Sequence, residues 1–171
     1  EDPIKIWISA CSTGEEVYTT AFILDRFLKK TGKNYTVKIF ASDVDEQAVD
    51  YASRAIYPPS IAKDLPQDIL DEYFVRHGKK LQVRSDIRKQ IVFAKQNIVK
   101  DPPFIRNDLI SCRNMLIYMN APLQKKILTT LHFSLNPNGF LFLGPSETVN
   151  IFNEDLDEIN RKWKIYRKKE G

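Results

Sequence analysis

The chain has 171 residues, 43% of them hydrophobic, which is enough for one compact domain with a sizeable core. Its net charge of +4 is concentrated at one end, since six basic residues face a single acid from Arg161 onward and leave the rest of the chain at −1. These numbers exclude a broad basic surface for nucleic acid and, because no apolar run approaches the roughly 18 residues of a membrane helix, insertion into a membrane.

The first third of the chain alternates strand and helix patterns. Ile4 to Ser9 is short, β-branched and aromatic, and from Glu15 to about Gly32 apolar residues recur every three or four positions. A second strand, Tyr35 to Ala41, and a second helix, Glu46 to Arg54, repeat this order. Such alternation predicts a parallel α/β sheet.

The middle of the chain is less regular. Leu81 to Arg84 and Ile87 to Ala94 predict a small antiparallel subdomain, over residues 74–92, beside the main sheet. The overlapping stretch Ile91 to Ile98 has an apolar start and a polar end, which indicates another central strand that delivers Asn97 to the edge of the sheet.

The second half of the chain returns to the α/β order. Asp108 to Cys112 predicts a strand and Pro122 to Leu135 an amphipathic helix. Pro137-Asn138-Gly139 is turn chemistry, and Phe140 to Leu143 predicts a buried strand after it. Trp163 to Arg167 alternates apolar and basic residues, which predicts a last strand at the edge of the sheet.

Polar residues follow several of the predicted strands. In a doubly wound sheet a ligand lies outside the carboxyl ends of the central strands, so these residues are expected to meet although they are far apart in sequence. They are Gly14 with Glu15 and Glu16, Asp43 with Asp45, Asn97, and Arg113 with Asn114.

The stretch from Ala10 to Glu16 carries the first of these groups. Gly14 would let a ligand approach the backbone at the start of a helix, but Glu15 and Glu16 would repel a phosphate there. A dinucleotide would need more glycines, so the stretch favours a cationic or neutral ligand with hydroxyls, such as S-adenosylmethionine. The alternative is a helix start without a ligand, capped by Ser12 or Thr13.

The other strand-end residues also have alternative roles. Asp43 could accept hydrogen bonds from ribose hydroxyls or cap the next helix. Asn97 could pair with an adenine edge or close a loop. Arg113 could attract a substrate carboxylate or tie its loop to Asp108 or another acid.

Metal and disulfide chemistry are not predicted. His77 and His132 lie outside the strand-end stretches, and no cluster of histidine, cysteine and carboxylate has the spacing of metal ligands. Cys11 and Cys112 adjoin apolar runs in a chain too large to need disulfides, so we expect free, buried thiols and a cytoplasmic protein.

Several stretches together resemble one family. They are Ala10 to Tyr18, Ser42 to Asp45, Gln96 to Ile98, Cys112 to Tyr118, Leu135 to Gly139 and Gly144 to Glu147. In this order, over roughly residues 4 to 146, they are similar to chemotaxis receptor methyltransferases of the CheR type. The combination of Ser-Thr-Gly-Glu-Glu with the later Cys-Arg-Asn and Ile-Tyr is the most specific part of the resemblance.

The resemblance implies a class I methyltransferase fold, which is a doubly wound, Rossmann-like α/β sheet, here as a single domain over residues 1–171. It implies S-adenosylmethionine as methyl donor, S-adenosylhomocysteine as product, and glutamate side chains in the cytoplasmic domains of methyl-accepting chemotaxis receptors as acceptors. The residues that it assigns to the cofactor site are Gly14, Glu15, Glu16, Asp43, Asn97, Ile98, Arg113 and Asn114. It makes Tyr118 and Arg113 catalytic, with Tyr118 near the transferred methyl.

Family members also carry a helical domain before the first strand, which contributes cofactor contacts and much of the receptor surface. The sequence does not include it, so we expect a piece of a longer signalling protein, with incomplete activity on its own. The chemistry of methyl transfer agrees with the residues, because a glutamate with a reference pKa of about 4.3 is already ionised at neutral pH and needs no general base.

Three other functions remain open at this point. One is a non-catalytic S-adenosylmethionine-binding sensor or scaffold within a multidomain signalling protein. The second is a nucleotide-dependent oxidoreductase, and the third is a nucleic-acid-binding module that uses the basic tail.

Overall fold

A computed structural model describes residues 2–147 and 155–170 of the chain. The strands are β1 Ile4–Ser9, β2 Val37–Asp43, β3 Ile56–Tyr57, β4 Phe74–His77, β5 Lys80–Val83, β6 Ile91–Lys95, β7 Asn107–Cys112, β8 Leu135–Leu143, β9 Leu156–Asn160 and β10 Ile165–Lys168. The helices are α1 Glu15–Thr31, α2 Glu46–Arg54, α3 Gln67–Tyr73, α4 Ser85–Arg88 and α5 Ala121–Phe133, with short 3-10 helices at Pro59–Lys63 and Leu116–Tyr118.

Seven of these strands form one sheet, in the order β6-β2-β1-β7-β8-β10-β9. The first five in this order are parallel to one another, and β10 runs antiparallel to both β8 and β9. From β1 the chain winds outward to β2 on one side, while β7 pairs on the other side, so the direction of winding reverses between β1 and β7. The predicted doubly wound α/β sheet is confirmed, and this reversal marks the crevice where ligands bind in such sheets.

The core lies on both faces of this sheet because successive strand residues point in opposite directions. Ile6 and Ile8 of β1 belong to a cluster that includes the buried face of α1, whereas Trp7, between them, belongs to a second cluster that includes α5. Within the described residues, none of the helices combines the length and the apolar character that a membrane crossing requires.

The small antiparallel sheet is present, with different bounds from those predicted. It has three strands in the order β3-β5-β4, so it recruits β3 from just after α2. The prediction that Ile87 to Ala94 belongs to it is wrong. Residues 85–88 form α4, where Ile87 is buried in the core, and β6 pairs in parallel with β2 in the main sheet.

The prediction that the last strand lies at the edge of the main sheet is also wrong. β10 is inserted between β8 and β9, and β9 forms the edge.

The basic residues near the end of the chain pair with acids of β9. The distance is 3.1 Å between Arg161 and Glu158 and 3.4 Å between Arg167 and Asp157. The Lys168 ammonium donates to the carbonyls of His132 in α5 and of Leu135 at the start of β8. Several basic residues of the tail are therefore engaged in intramolecular contacts.

The turn residues after α5 lie inside β8 and not before it. Asn107 of β7 pairs with Leu135 and Leu109 pairs with Phe140, so β8 contains extra residues that bulge out of the ladder. Asn138, in this bulge, has a φ of 68°, a conformation that asparagine tolerates better than most residues. Residues 137–139, which are typical of a turn, thus form a bulge within a strand.

Candidate functional site

Two adjoining cavities lie at the carboxyl ends of β1, β2, β6 and β7. The first, here called the apolar cavity, has a volume of about 430 Å³ and is lined by Ser9, Ala10, Ser42, Asp43, Val44, Gln96, Asn97, Ile98, Val99, Lys100, Met115, Met119 and Leu123. The second, here called the acidic cavity, has a volume of about 450 Å³ and is lined by Ala10, Cys11, Ser12, Thr13, Glu15, Glu16, Asp43, Arg113 and Asn114. Ala10 and Asp43 line both, so the two cavities share a wall.

A third cavity, of about 560 Å³, lies at the opposite ends of the strands and is lined in part by Lys5, Arg106 and Asp108. There the Asp108 carboxylate accepts hydrogen bonds from the Lys5 N–H and from the Asn136 side-chain amide. Because ligands bind outside the carboxyl ends of such sheets, this cavity is not the candidate site.

The loop between β1 and α1 is held in an unusual backbone conformation. Ala10, Ser12 and Gly14 all have positive φ, with values of 56°, 50° and 96°. The Cys11 N–H donates to the Ser42 carbonyl, and the Tyr57 hydroxyl donates to the Thr13 carbonyl. Positive φ is strained for residues with a side chain, such as Ala10 and Ser12, and strained residues persist where surrounding contacts hold them and are frequent at functional sites.

The start of α1 corrects one of the sequence interpretations. The N-cap of this helix is Gly14, without a side-chain cap, so neither Ser12 nor Thr13 caps it. The Thr13 hydroxyl donates instead to the Glu15 carboxylate. Gly14 itself is buried, while Glu15 and Glu16 line the acidic cavity.

Asp43 joins the loops that follow β1 and β2. Its Oδ2 accepts the Ser12 N–H at 2.8 Å, and its Oδ1 accepts the Asp45 N–H at 3.0 Å. The cap of α2 is Asp45, which accepts the N–H groups of Gln47 and Ala48. Since each carboxylate oxygen has two lone pairs, Asp43 can still accept one further hydrogen bond per oxygen from a ligand.

Arg113 and Glu16 form an interaction across the acidic cavity. The Arg113 guanidinium lies 3.7 Å from the Glu16 Oε2 and 4.5 Å from the ring centroid of Phe142. The Ser111 hydroxyl donates to the other oxygen of Glu16 at 2.6 Å. Of the alternatives for Arg113, the tie to an acid is the one observed, but the acid is Glu16 and not Asp108.

The side-chain oxygen of Asn97 is engaged in hydrogen bonds within its own loop. Its Oδ1 accepts the N–H groups of Val99 and Lys100, while its own N–H donates to Asp101. The carbonyl oxygen therefore closes a loop, and the amide nitrogen is the half that can serve a ligand in the apolar cavity. Ile98, next along the chain, lines the same cavity.

The structure does not bring Tyr118 into this group. Its side chain is 80% exposed on the 3-10 helix after β7, and it lines neither cavity.

The structure also reveals a residue that the sequence reasoning did not select. Glu147 is buried, and its carboxylate accepts four backbone N–H groups from the loop that contains Asn114 and from Gly144. The only signal in the sequence was its place in the stretch Gly144 to Glu147.

Cys11 and Cys112 are free, buried thiols, as predicted. Burial, followed by the charge of Asp43, raises the pKa of the Cys11 thiol to about 12. Burial also raises the pKa of the Cys112 thiol to about 12. No group of three or more metal-ligating side chains occurs in the part of the chain that the structure describes.

These pKa shifts predict that neither thiol reacts with a coloured disulfide reagent at pH 8 while the protein is folded. A thiol with a pKa of about 12 is ionised in about one molecule in 10⁴ at pH 8, against roughly a quarter of molecules at the reference pKa of about 8.5. Both thiols should react after unfolding in urea, and rapid reaction of one thiol in the folded chain would contradict the burial.

The raised pKa values of the two thiols also predict that the free energy of unfolding falls above about pH 8.5. In that range the thiols of the unfolded state lose protons that the folded state keeps.

Comparison with known proteins adds to this geometry. The family model described as "CheR methyltransferase, SAM binding domain" matches residues 1–165 of the chain. The chain belongs to the CheR methyltransferase family. SAM is S-adenosylmethionine, which is therefore the cofactor of this CheR domain.

Individual relatives agree with this membership. An uncharacterized 104.1 kDa protein from the hypE 3′ region of Rhodobacter capsulatus is 36% identical over 96% of the CheR domain, which covers 17% of that protein. A chemotaxis protein methyltransferase of Borreliella burgdorferi is 32% identical over 91% of the domain, which covers 56% of that protein. Chemotaxis protein methyltransferase 1 of Vibrio cholerae is also 32% identical, over 92% of the domain and 58% of its own length. The chain thus spans less than two thirds of each of these relatives.

Solved structures share the class I methyltransferase fold. A candidate O-methyltransferase from Nostoc punctiforme superposes with a TM-score of 0.54 at 12% identity, covering 84% of the CheR domain and 33% of that chain. The cyclase SpnF superposes with a TM-score of 0.50 at 13% identity, covering 84% of the domain and 39% of that chain. At such low identity these similarities concern the fold alone.

The side chains around the two cavities fit S-adenosylmethionine chemically. Each cavity has a volume in the range of small-molecule sites, about 300 to 1,000 Å³. Asp43 retains lone pairs for hydroxyl groups, and the acidic cavity suits a positively charged sulfonium. The Arg113 Nε is buried without a hydrogen-bond partner among the described residues, so its guanidinium keeps donor capacity unused.

Proposed function

We propose that this CheR domain binds S-adenosylmethionine across both cavities, with the nucleoside on the side of the apolar cavity and the amino acid part in the acidic cavity. The observation that carries this proposal is the position of Asp43 in the shared wall. A ribose joined to a base on one side and to a sulfonium on the other would lie against that wall.

Each of the other candidate residues has a role in this arrangement. The Asn97 amide donates to the adenine edge, and Ile98 packs beside the base. Glu15 and Glu16 provide negative charge near the sulfonium and the ammonium, while Arg113 and Asn114 complete the far side of the acidic cavity. Gly14 allows the loop to close beneath the ligand, because a side chain there would have no room.

We further propose that the protein containing this domain transfers the methyl group to glutamate side chains of chemoreceptor cytoplasmic domains, which requires a cytoplasmic location. Two of the relatives compared above are named as chemotaxis protein methyltransferases. When bound, S-adenosylmethionine supplies a methyl carbon already activated by the sulfonium. The protein has only to orient the ionised acceptor and exclude water, so no general base is needed.

Tyr118 and Arg113 are the proposed catalytic residues in this reaction. Tyr118 is exposed at the surface after β7, where an approaching receptor helix can contact it, and its hydroxyl is proposed to orient the acceptor carboxylate. Arg113 is proposed to attract that carboxylate, since its guanidinium lines the acidic cavity. Residues 1–171 would act as one domain in this process, with other parts of the full protein completing the receptor surface.

A second function is favoured by one observation. Tyr118 lines neither cavity, so this chain by itself brings no proposed catalytic tyrosine to the cofactor site. A non-catalytic S-adenosylmethionine-binding module of a larger signalling protein would have this arrangement.

Two measurements test the proposed function. Calorimetric titration with S-adenosylhomocysteine should give saturable binding to the chain. Radiolabelled S-adenosylmethionine, incubated with the full protein and purified receptor cytoplasmic domains, should give base-labile methyl esters, and receptor variants with glutamine at the acceptor glutamates should not be labelled. Cofactor binding without labelled receptors would favour the non-catalytic module, and no cofactor binding by either chain would refute both functions.

A further inference from the structure

Glu147 lies four residues after β8 and is only 3% exposed. Its Oε1 accepts the N–H groups of Gly144 at 2.7 Å and Asn114 at 2.9 Å, and its Oε2 accepts those of Leu116 at 2.6 Å and Met115 at 3.1 Å. Among the described residues it has no salt-bridge partner. A buried carboxylate must be compensated, and here the compensation comes from four backbone dipoles.

Three of these four donors are consecutive residues, two in the loop after β7 and the third at the start of the 3-10 helix that follows it. The N–H groups of Asn114, Met115 and Leu116 can converge on a single carboxylate only if the backbone turns sharply, and Asn114 has a φ of 61°. Successive N–H groups that point to one anion in this way form a concave backbone site. Here the occupant of that site is a side chain of the same protein.

The same loop borders both cavities. Arg113 and Asn114 line the acidic cavity, and Met115 lines the apolar cavity. Glu147 lines neither, so it does not contact a ligand in them. Its effect on the site must act through the backbone that it holds.

Gly144 closes the arrangement from the other side. A Cβ atom at this position would lie 2.7 Å from the Asn114 Oδ1, 2.7 Å from the Glu147 Oε1 and 2.9 Å from the Asn114 backbone nitrogen. All three contacts are shorter than side chains tolerate, so the loop can reach the carboxylate only because residue 144 has no side chain.

We infer that Glu147 is a positioning residue for the cofactor site, in that its carboxylate fixes the backbone of residues 114–116 and thereby the placement of Arg113, Asn114 and Met115. The inference rests on the proposed function, which assigns the cofactor to these cavities. It adds a residue that acts at a distance from the ligand, with Gly144 as the position that makes the contact sterically feasible.

The test uses Glu147→Gln, with Glu158→Gln as the matched control because Glu158 is an exposed glutamate paired only with Arg161 among the described residues. Glutamine keeps the shape but presents an NH₂ group to backbone donors that need an acceptor. Backbone amide spectra should show the signals of residues 114, 115, 116 and 144 shifted in Glu147→Gln and unshifted in the control. Calorimetry should show S-adenosylhomocysteine binding weakened about tenfold, because a loop released by the unpaired donors must be ordered again when the ligand binds.

Two further measurements do not depend on the folding of that variant. In the unchanged chain these four amide protons should exchange slowly with solvent although none of them lies in an α-helix or a β-strand. Gly144→Ala, which leaves the carboxylate in place, should shift the signals of residues 114, 115 and 116 and weaken binding similarly.

The outcomes separate this inference from the proposed function. Fast exchange of the four amides in the unchanged chain would overturn the anchoring role. Shifted amide signals together with cofactor affinity within twofold of the unchanged chain would overturn the positioning role while leaving cofactor binding intact. Failure of the unchanged chain to bind S-adenosylhomocysteine would count against the proposed function, and the amide measurements would still decide whether Glu147 holds the loop.

Discussion

Replacing Asp43 with alanine is expected to weaken S-adenosylhomocysteine binding by at least about 100-fold. The proposed ribose position gives this carboxylate two hydroxyl partners, and hydrogen bonds to charged groups contribute about 1.5 to 3 kcal/mol each. The substitution also removes the acceptor for the Ser12 and Asp45 N–H groups, which loosens the wall between the two cavities. Calorimetric titration measures the affinity, and Asp43→Asn, which keeps one acceptor oxygen, should lie between the alanine variant and the unchanged chain.

Asp45→Ala is the matched control for this experiment. Asp45 is in the same turn, but its carboxylate caps α2 and lines neither cavity. Its removal should lower the free energy of unfolding by about 1 kcal/mol and leave the cofactor affinity within about twofold. If folded Asp43→Ala binds as tightly as Asp45→Ala, the ribose assignment is wrong.

Replacing Gly14 with alanine is expected to lower the free energy of unfolding by about 3 kcal/mol. Gly14 has a φ of 96°, which costs an L-residue about 1 to 2 kcal/mol. Its Cβ would lie 2.9 Å from the Ala52 Cβ and 2.9 Å from the Tyr57 hydroxyl oxygen, and overpacking of this kind costs about 1 to 3 kcal/mol. Urea unfolding followed by circular dichroism measures the change.

Gly78→Ala provides the comparison for the Gly14 variant. Gly78 also has a positive φ, 61°, but nothing lies within 4 Å of the added Cβ. Only the backbone cost applies there, so the loss should be about 1 kcal/mol. Equal losses for the two variants would mean that the contacts with Ala52 and Tyr57 are not restrictive. A Gly14 variant that still folds should also bind S-adenosylhomocysteine more weakly, because the loop before α1 lines the acidic cavity.

The alternating pattern of the first third of the chain was sufficient to predict the parallel sheet. Strands such as β1 are short and apolar, and helix α1 shows clear periodicity, so local sequence carries both signals. The sequence pattern did not predict the order of strands whose partners are distant in sequence. β9 contains Asp157, Glu158 and Asn160, which hide its strand character, and without it β10 was assigned to the edge. Its actual place depends on pairing with β8 and β9 together.

The candidate site was also predictable only in part from the sequence. Asp43, Asn97 and Arg113 could be grouped from sequence because the carboxyl ends of parallel strands meet at one edge of the sheet. The partners that each side chain has already taken could not be predicted. Arg113 lies beside Glu16, which is 97 positions away, and Asp43 accepts a hydrogen bond from Ser12 across 31 positions.

The sequence by itself determined the family resemblance, the doubly wound sheet and the set of polar residues at the strand ends, because each is encoded in local spacing and composition. Only the tertiary structure decided which of them line a cavity, that Tyr118 stands apart from both cavities, and that Glu147 holds the loop after β7. The physical reason is that a carboxylate on one loop satisfies backbone donors on another more than 30 residues earlier. No local sequence pattern predicts such a contact, because it forms only when the sheet has brought the two loops together.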